Sequence, residues 1–128
     1  MKRTCERELA FKTIYSKLFN FEVDDNDEIT NIDNSNLAKN IIDVFMSHQN
    51  EINETISNHL KGYTIERLFK IDLAIITLAI IELNYIKENP KQVIINEAVE
   101  LAKKYSTDDS SSFINGVLAK VIVDNGLK

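Results

Sequence analysis

The sequence has no tryptophan, one cysteine, one proline and three glycines among its 128 residues. All-β folds place glycine and proline at their many turns, so this scarcity argues for long helices joined by few connections. A lone Cys5 excludes an internal disulfide and fits a reducing, cytoplasmic setting. The usual signatures of chemistry are missing too: no glycine-rich phosphate loop, no paired-cysteine metal spacing and no G-x-S-x-G turn. Nothing assembles a nucleophile, a base and an oxyanion hole. The residues favour binding over catalysis, with no cofactor. No signal peptide is visible, because the first apolar residues, from Leu9, alternate with Lys12 and Lys17.

Against those absences stands one apolar run, Ile71 to Ile86, reading IDLAIITLAIIELNYI. Twelve of its sixteen residues are apolar, and they fall on every side of a helical wheel. A surface helix shows one apolar stripe; a helix apolar all round is buried against several neighbours. Sixteen residues is long for a strand, and Ala74, Leu78, Ala79 and Leu83 are sound helix formers. A membrane span needs about 18 or more nearly uncharged residues, whereas Lys70, Asp72 and Glu82 interrupt this window. The run predicts a buried central helix in a soluble, all-α fold, and the length fits one domain over 1–128.

Net charge is −5, which taken alone weighs against nucleic acid. Its distribution changes the argument. Residues 1–21 carry net +3, residues 22–60 carry −8, and residues 61–128 are balanced. The positive end is separate from the acidic middle, so an anionic partner at the N-terminus stays open.

Taken in order, Thr4 can cap a first helix from Cys5 to about Asn20, with Phe11, Ile14, Tyr15 and Leu18 at helical spacing. Residues 22–36 are acidic and Asn-rich and read as a surface loop. Asp24, Asp25, Asp27 and Glu28 are too irregular, and too short of glycine, for an EF-hand loop. A second helix runs from Ser35 or Asn36 to Lys61, with Gly62 as its stop. His48 and His59 share a face of that helix but lie ~16 Å apart along it, too far for one metal ion. Thr64 caps a turn holding Leu68 and Phe69. In the central helix, Asp72 and Glu82 should reach the rim or a cationic partner, because a lone buried carboxylate costs several kcal/mol. Glu88-Asn89-Pro90 breaks the chain before a helix over 92–105. Ser106 and Asp109 have capping-box-like spacing before a last helix over 110–125, with Gly126 as its stop. Gly116 within it reads either as a close approach of another chain or as a tolerated cost.

Several ordered pieces together resemble one family. Ile95-Asn96-Glu97-Ala98-Val99-Glu100-Leu101-Ala102-Lys103 is followed, after Asp109-Ser110, by Phe113-Ile114-Asn115-Gly116-Val117-Leu118. Arg7-Glu8, Ala10-Phe11 and Ile14-Tyr15 match an A-R-E-x-A-L-Q-x-L-Y pattern near the start, and Asp72, Ala74-Ile75-Ile76, Leu78-Ala79 and Glu82-Leu83 match the core. This order is similar to the bacterial transcription antitermination factor NusB family across the chain except roughly 22–36. The resemblance implies an all-α fold of two small helical subdomains sharing the central helix. It implies a non-enzymatic factor that binds boxA RNA together with NusE, a small-subunit ribosomal protein, within an RNA polymerase antitermination complex, notably on ribosomal RNA operons. A homodimer is also compatible with it.

Carried over residue by residue, the resemblance places Lys2, Arg3 and Arg7 on RNA phosphates, and Tyr15 and Phe113 where a ring can stack on a base. Asp109 falls at the start of the last helix, near the RNA and partner surface, and Glu82 is assigned to that surface too. From periodicity alone, Tyr15 and Phe113 lie on apolar faces and read as core, and Asp109 reads as a helix N-terminal acid. The chain departs from the family where Ser112 replaces a basic residue, Thr77 an arginine and Ile81 a tyrosine. Two alternatives remain: a stand-alone module like the first domain of an rRNA cytosine methyltransferase, against which the stop after Lys128 argues, and a helical scaffold that binds protein but no RNA.

Overall fold

The computed structural model describes residues 2–19, 36–60, 62 and 64–125. Six helices follow one another: α1 (Arg3–Phe19), α2 (Asn36–Ser47), α3 (Gln49–Asn58), α4 (Lys70–Ile81), α5 (Lys91–Tyr105) and α6 (Asp108–Asp124), with no strand among the described residues. A 3-10 turn, Ile65–Arg67, precedes α4, and a π-helical turn, Glu82–Ile86, extends it. The acidic segment, its calcium reading and the Gly126 stop lie outside the described residues.

The central helix is where the apolar run placed it. Every residue from Asp72 to Ile81 is buried, and α4 packs against all five other helices. Around it, α1 packs on α2 and α2 on α3, while α5 and α6 pack closely on each other. Ile75, Ile76, Ile80 and Ile81 are fully enclosed, and Ile14, Ile41, Ile56, Ile94 and Leu118 reach in from the surrounding helices. No described helix is long and apolar enough to cross a membrane.

Four local expectations are corrected. First, α1 begins at Arg3, so Thr4 lies inside it and is not the cap; its hydroxyl donates to Glu97 Oε1 at 2.9 Å. Second, the single helix expected over 35–61 is two. The backbone leaves helical geometry at His48 (φ −129°, ψ 27°) while the hydrogen bonds His48 N to Val44 O and Ile52 N to His48 O bridge the bend. The apolar spacing runs through this bend unchanged, so the pattern could not reveal it. The helix α3 also stops early, at Asn58, although Gly62 does adopt φ +72° beyond it. Third, the cap of α6 is Thr107, whose hydroxyl accepts from Ser110 N at 3.0 Å.

Fourth, Asp72 reaches neither rim nor cation. It is buried, and Ser106 and Ser110 each donate a hydroxyl hydrogen bond of 2.8 Å to its two oxygens. The Ser106 side chain is thus committed to α4 rather than to capping. Gly116 meets nothing within 4 Å of where a Cβ would stand, so no close approach inside the fold explains it.

Candidate nucleic-acid and partner interface

Apart from Tyr15, the residues singled out by sequence fall into three places. The first is the start of α1. Lys2 and Arg3 are exposed there. The Arg3 guanidinium lies 3.6 Å from Glu88 and 4.0 Å from Glu6, both at the same end of the molecule.

The second place is the interior, and it corrects two assignments. Arg7 is only 2% exposed, as is Glu82. Arg7 Nε donates to both Glu82 oxygens, at 2.8 and 3.1 Å, and Asn89 adds a longer contact of 3.4 Å. Glu97 stands 3.9 Å from the guanidinium. Arg7 sits one helical turn in from the exposed Arg3, on the face of α1 that packs against α4. The π-helical turn begins at Glu82 and turns its carboxylate to that face. Burial pushes the Glu82 carboxyl up, opposed by the Arg7 guanidinium and by Asn89. Neither side chain is available to a phosphate or a partner; together they tie α1 to α4. Glu82 thereby meets the cationic partner expected of it, within the chain itself.

The third place is a cleft of about 410 Å³ between the approach to α4 and the start of α6. Asp109 and Phe113 line it together with Arg67, Leu68, Phe69 and Thr107. Asp109 is exposed and Phe113 half-buried. Phe69 is 66% exposed, which is unusual for so large an apolar ring. Sequence periodicity assigned Phe69 to an apolar turn and did not mark it as surface. The signal that could have found it is local: Arg67-Leu68-Phe69-Lys70 interleaves cations with an aromatic. The Asp72 carboxylate forms the floor of the cleft, where its serine partners hold it.

Tyr15 belongs to none of these directly. It is half-buried on α1, with Phe11 6.4 Å and Phe19 5.5 Å away between ring centroids. The structure thus brings Asp109 and Phe113 together, leaves Lys2 and Arg3 at another end, and withdraws Arg7 and Glu82 into the core. At the positions where the family resemblance expects an arginine and a tyrosine, Thr77 and Ile81 are both buried.

Comparison with known proteins converges on one family. A model of the NusB family matches residues 4–123. The transcription antitermination protein NusB of Acetivibrio thermocellus is 42% identical over 131 aligned positions, covering 95% of this chain and 89% of that protein. A crystal form of Thermotoga maritima NusB superposes with a TM-score of 0.81 at 28% identity, over 97% of this chain and 92% of that one. A crystal structure of the antitermination factors NusB and NusE with double-stranded RNA gives a TM-score of 0.79 at 25% identity, over 97% and 99%.

Proposed function

The chain belongs to the NusB family, and from that premise we propose that it is a transcription antitermination factor that binds boxA RNA jointly with NusE and so helps RNA polymerase read through terminators. The observation that carries this reading is the near-complete superposition on a NusB chain held with NusE and RNA, with Asp109, Phe113, Phe69 and Arg67 presented at one open cleft. An exposed ring beside a guanidinium suits either a splayed base or a protein loop. The protein acts by holding two ligands at once rather than by chemistry.

Lys2 and Arg3 supply phosphate contacts, Tyr15 and Phe113 offer ring surface, and Asp109 faces the partner side. Arg7 and Glu82 serve indirectly, by fixing the start of α1 on the core. Few surface cations remain at the N-terminus, so affinity for RNA alone is weak and rises when NusE adds surface. A titration of boxA RNA with and without NusE, read by size exclusion, tests this. Tighter RNA retention in the ternary mixture is expected. Equal affinity in both arms, or retention of neither ligand, overturns the proposal.

A further inference from the structure

The exposed arginine at the start of α1 already has an anionic neighbour from another part of the chain. Arg3 lies 3.6 Å from Glu88, which sits in the loop between the π-helical turn and α5. The other acid near it, Glu6, is on α1 itself, three residues along, at 4.0 Å. The side chains of Arg3 and Glu88 are 51% and 49% exposed, so an incoming ligand can reach the contact.

The loop presents Glu88 in a fixed place. Lys87 closes the π-helical turn in the left-handed region, at φ 57°, and its N–H donates to Glu82 O at 3.0 Å. Lysine seldom adopts that conformation, so the surrounding structure holds the turn. On the other side of Glu88, Asn89 reaches inward to the Glu82 carboxylate at 3.4 Å, and Pro90 leads directly into α5. Glu88 is left on the outside, with its carboxylate toward α1. Across the contact, Thr4 donates to Glu97 and seats the start of α1 against α5. Two anchored stretches of backbone thus bring Arg3 and Glu88 together, not only the swing of two long side chains.

We propose that Glu88 is an internal competitor of RNA at Arg3: its carboxylate occupies the guanidinium that a phosphate would use, and binding exchanges one anion for the other. This competition rests on the reading of the chain as an RNA-binding antitermination factor with Arg3 on a phosphate. The two anions seek the same donors, since the planar guanidinium fork matches carboxylate and phosphate alike. Any phosphate drawn to Arg3 also comes within the screening length of Glu88, about 8 Å at physiological salt, and is repelled by it. An exposed ion pair is weak, contributing at most about a factor of five, so the contact lowers RNA affinity without abolishing it. It keeps the start of α1 from holding stray RNA firmly. A strand already held through NusE is present at high local concentration and can displace the carboxylate.

The test is a double-mutant cycle of wild type, E88Q, R3Q and R3Q/E88Q, each titrated with boxA RNA in the presence of NusE at low salt. E88Q should bind about two- to fivefold more tightly than wild type, and the gain should shrink as salt is added. R3Q should bind more weakly, and in its background E88Q should add nothing. Both positions are at the surface, so the thermal melts of all four proteins should nearly coincide. A gain from E88Q that persists in R3Q marks diffuse repulsion by a surface acid and overturns the competition at Arg3. E88Q that binds no tighter than wild type, or R3Q that binds as wild type does, also overturns it while leaving the wider functional reading in place. Wild-type protein that binds no boxA RNA, with or without NusE, overturns that reading itself.

Discussion

Arg7 and Glu82 stand 75 positions apart in the chain and meet in the core. Removing one partner of a buried pair leaves an uncompensated charge, at a cost of about 3–5 kcal/mol. Arg7→Ala should destabilise by that much in urea unfolding, and a double change to apolar residues of similar size should cost far less. An Arg3→Ala, Arg7→Ala double substitution is therefore a test of folding rather than of surface contact with RNA. Glu8 is the second instructive residue. Hydrogen bonds from Lys104 and Tyr105 hold its carboxyl below the ordinary value of 4.5. A lowered carboxyl contributes stability that is present above its unfolded value and lost as pH falls through the folded one. Wild-type stability should accordingly fall as pH drops below about 4.5, and Glu8→Gln should flatten that part of the profile, as followed by thermal melts across pH. The family pattern could nominate Arg7 as charged and important; it could not say which way the side chain points. That depends on α4 being one helix diameter away.

At the scale of elements, the helices were legible because each carries its own apolar spacing. The positions of α5 and α6 were predicted to within two residues, since Pro90 and the Ser106–Asp109 cluster punctuate them. Their caps were less legible. Ser106 and Thr107 are both able to cap, and the choice fell to Thr107 because Ser106 is drawn to Asp72 on another helix. The bend at His48 was invisible for a related reason. The His48 ring stacks on Tyr85 at 4.8 Å, and Tyr85 donates to Glu51 at 3.0 Å, so partners on the π-helical turn seat the break. The open surroundings of Gly116 lead to a prediction at this scale. Gly116→Ala should stabilise the protein by up to about 1 kcal/mol, raising the melting temperature by several degrees. A decrease would mean that the α6 backbone is distorted by the added methyl.

At the scale of the molecule, α4 is the shared wall of both halves, so damage to it should be felt everywhere at once. Ile76 is fully buried there. Ile76→Ala should cost about 2–5 kcal/mol, and reporters on α2 and on α6 should lose structure at the same denaturant concentration. Separate transitions would show that the halves fold independently. The amino-acid order settled the helical class, the buried central rod and the family, because these follow from periodicity, composition and motif, which are local properties of the chain. The three-dimensional packing settled which charges face water. Arg7 turned inward and Phe69 outward against the habits of their side chains, because burial is assigned by neighbours far away in sequence. The cleft beside Asp109 likewise exists only where α6 meets the approach to α4.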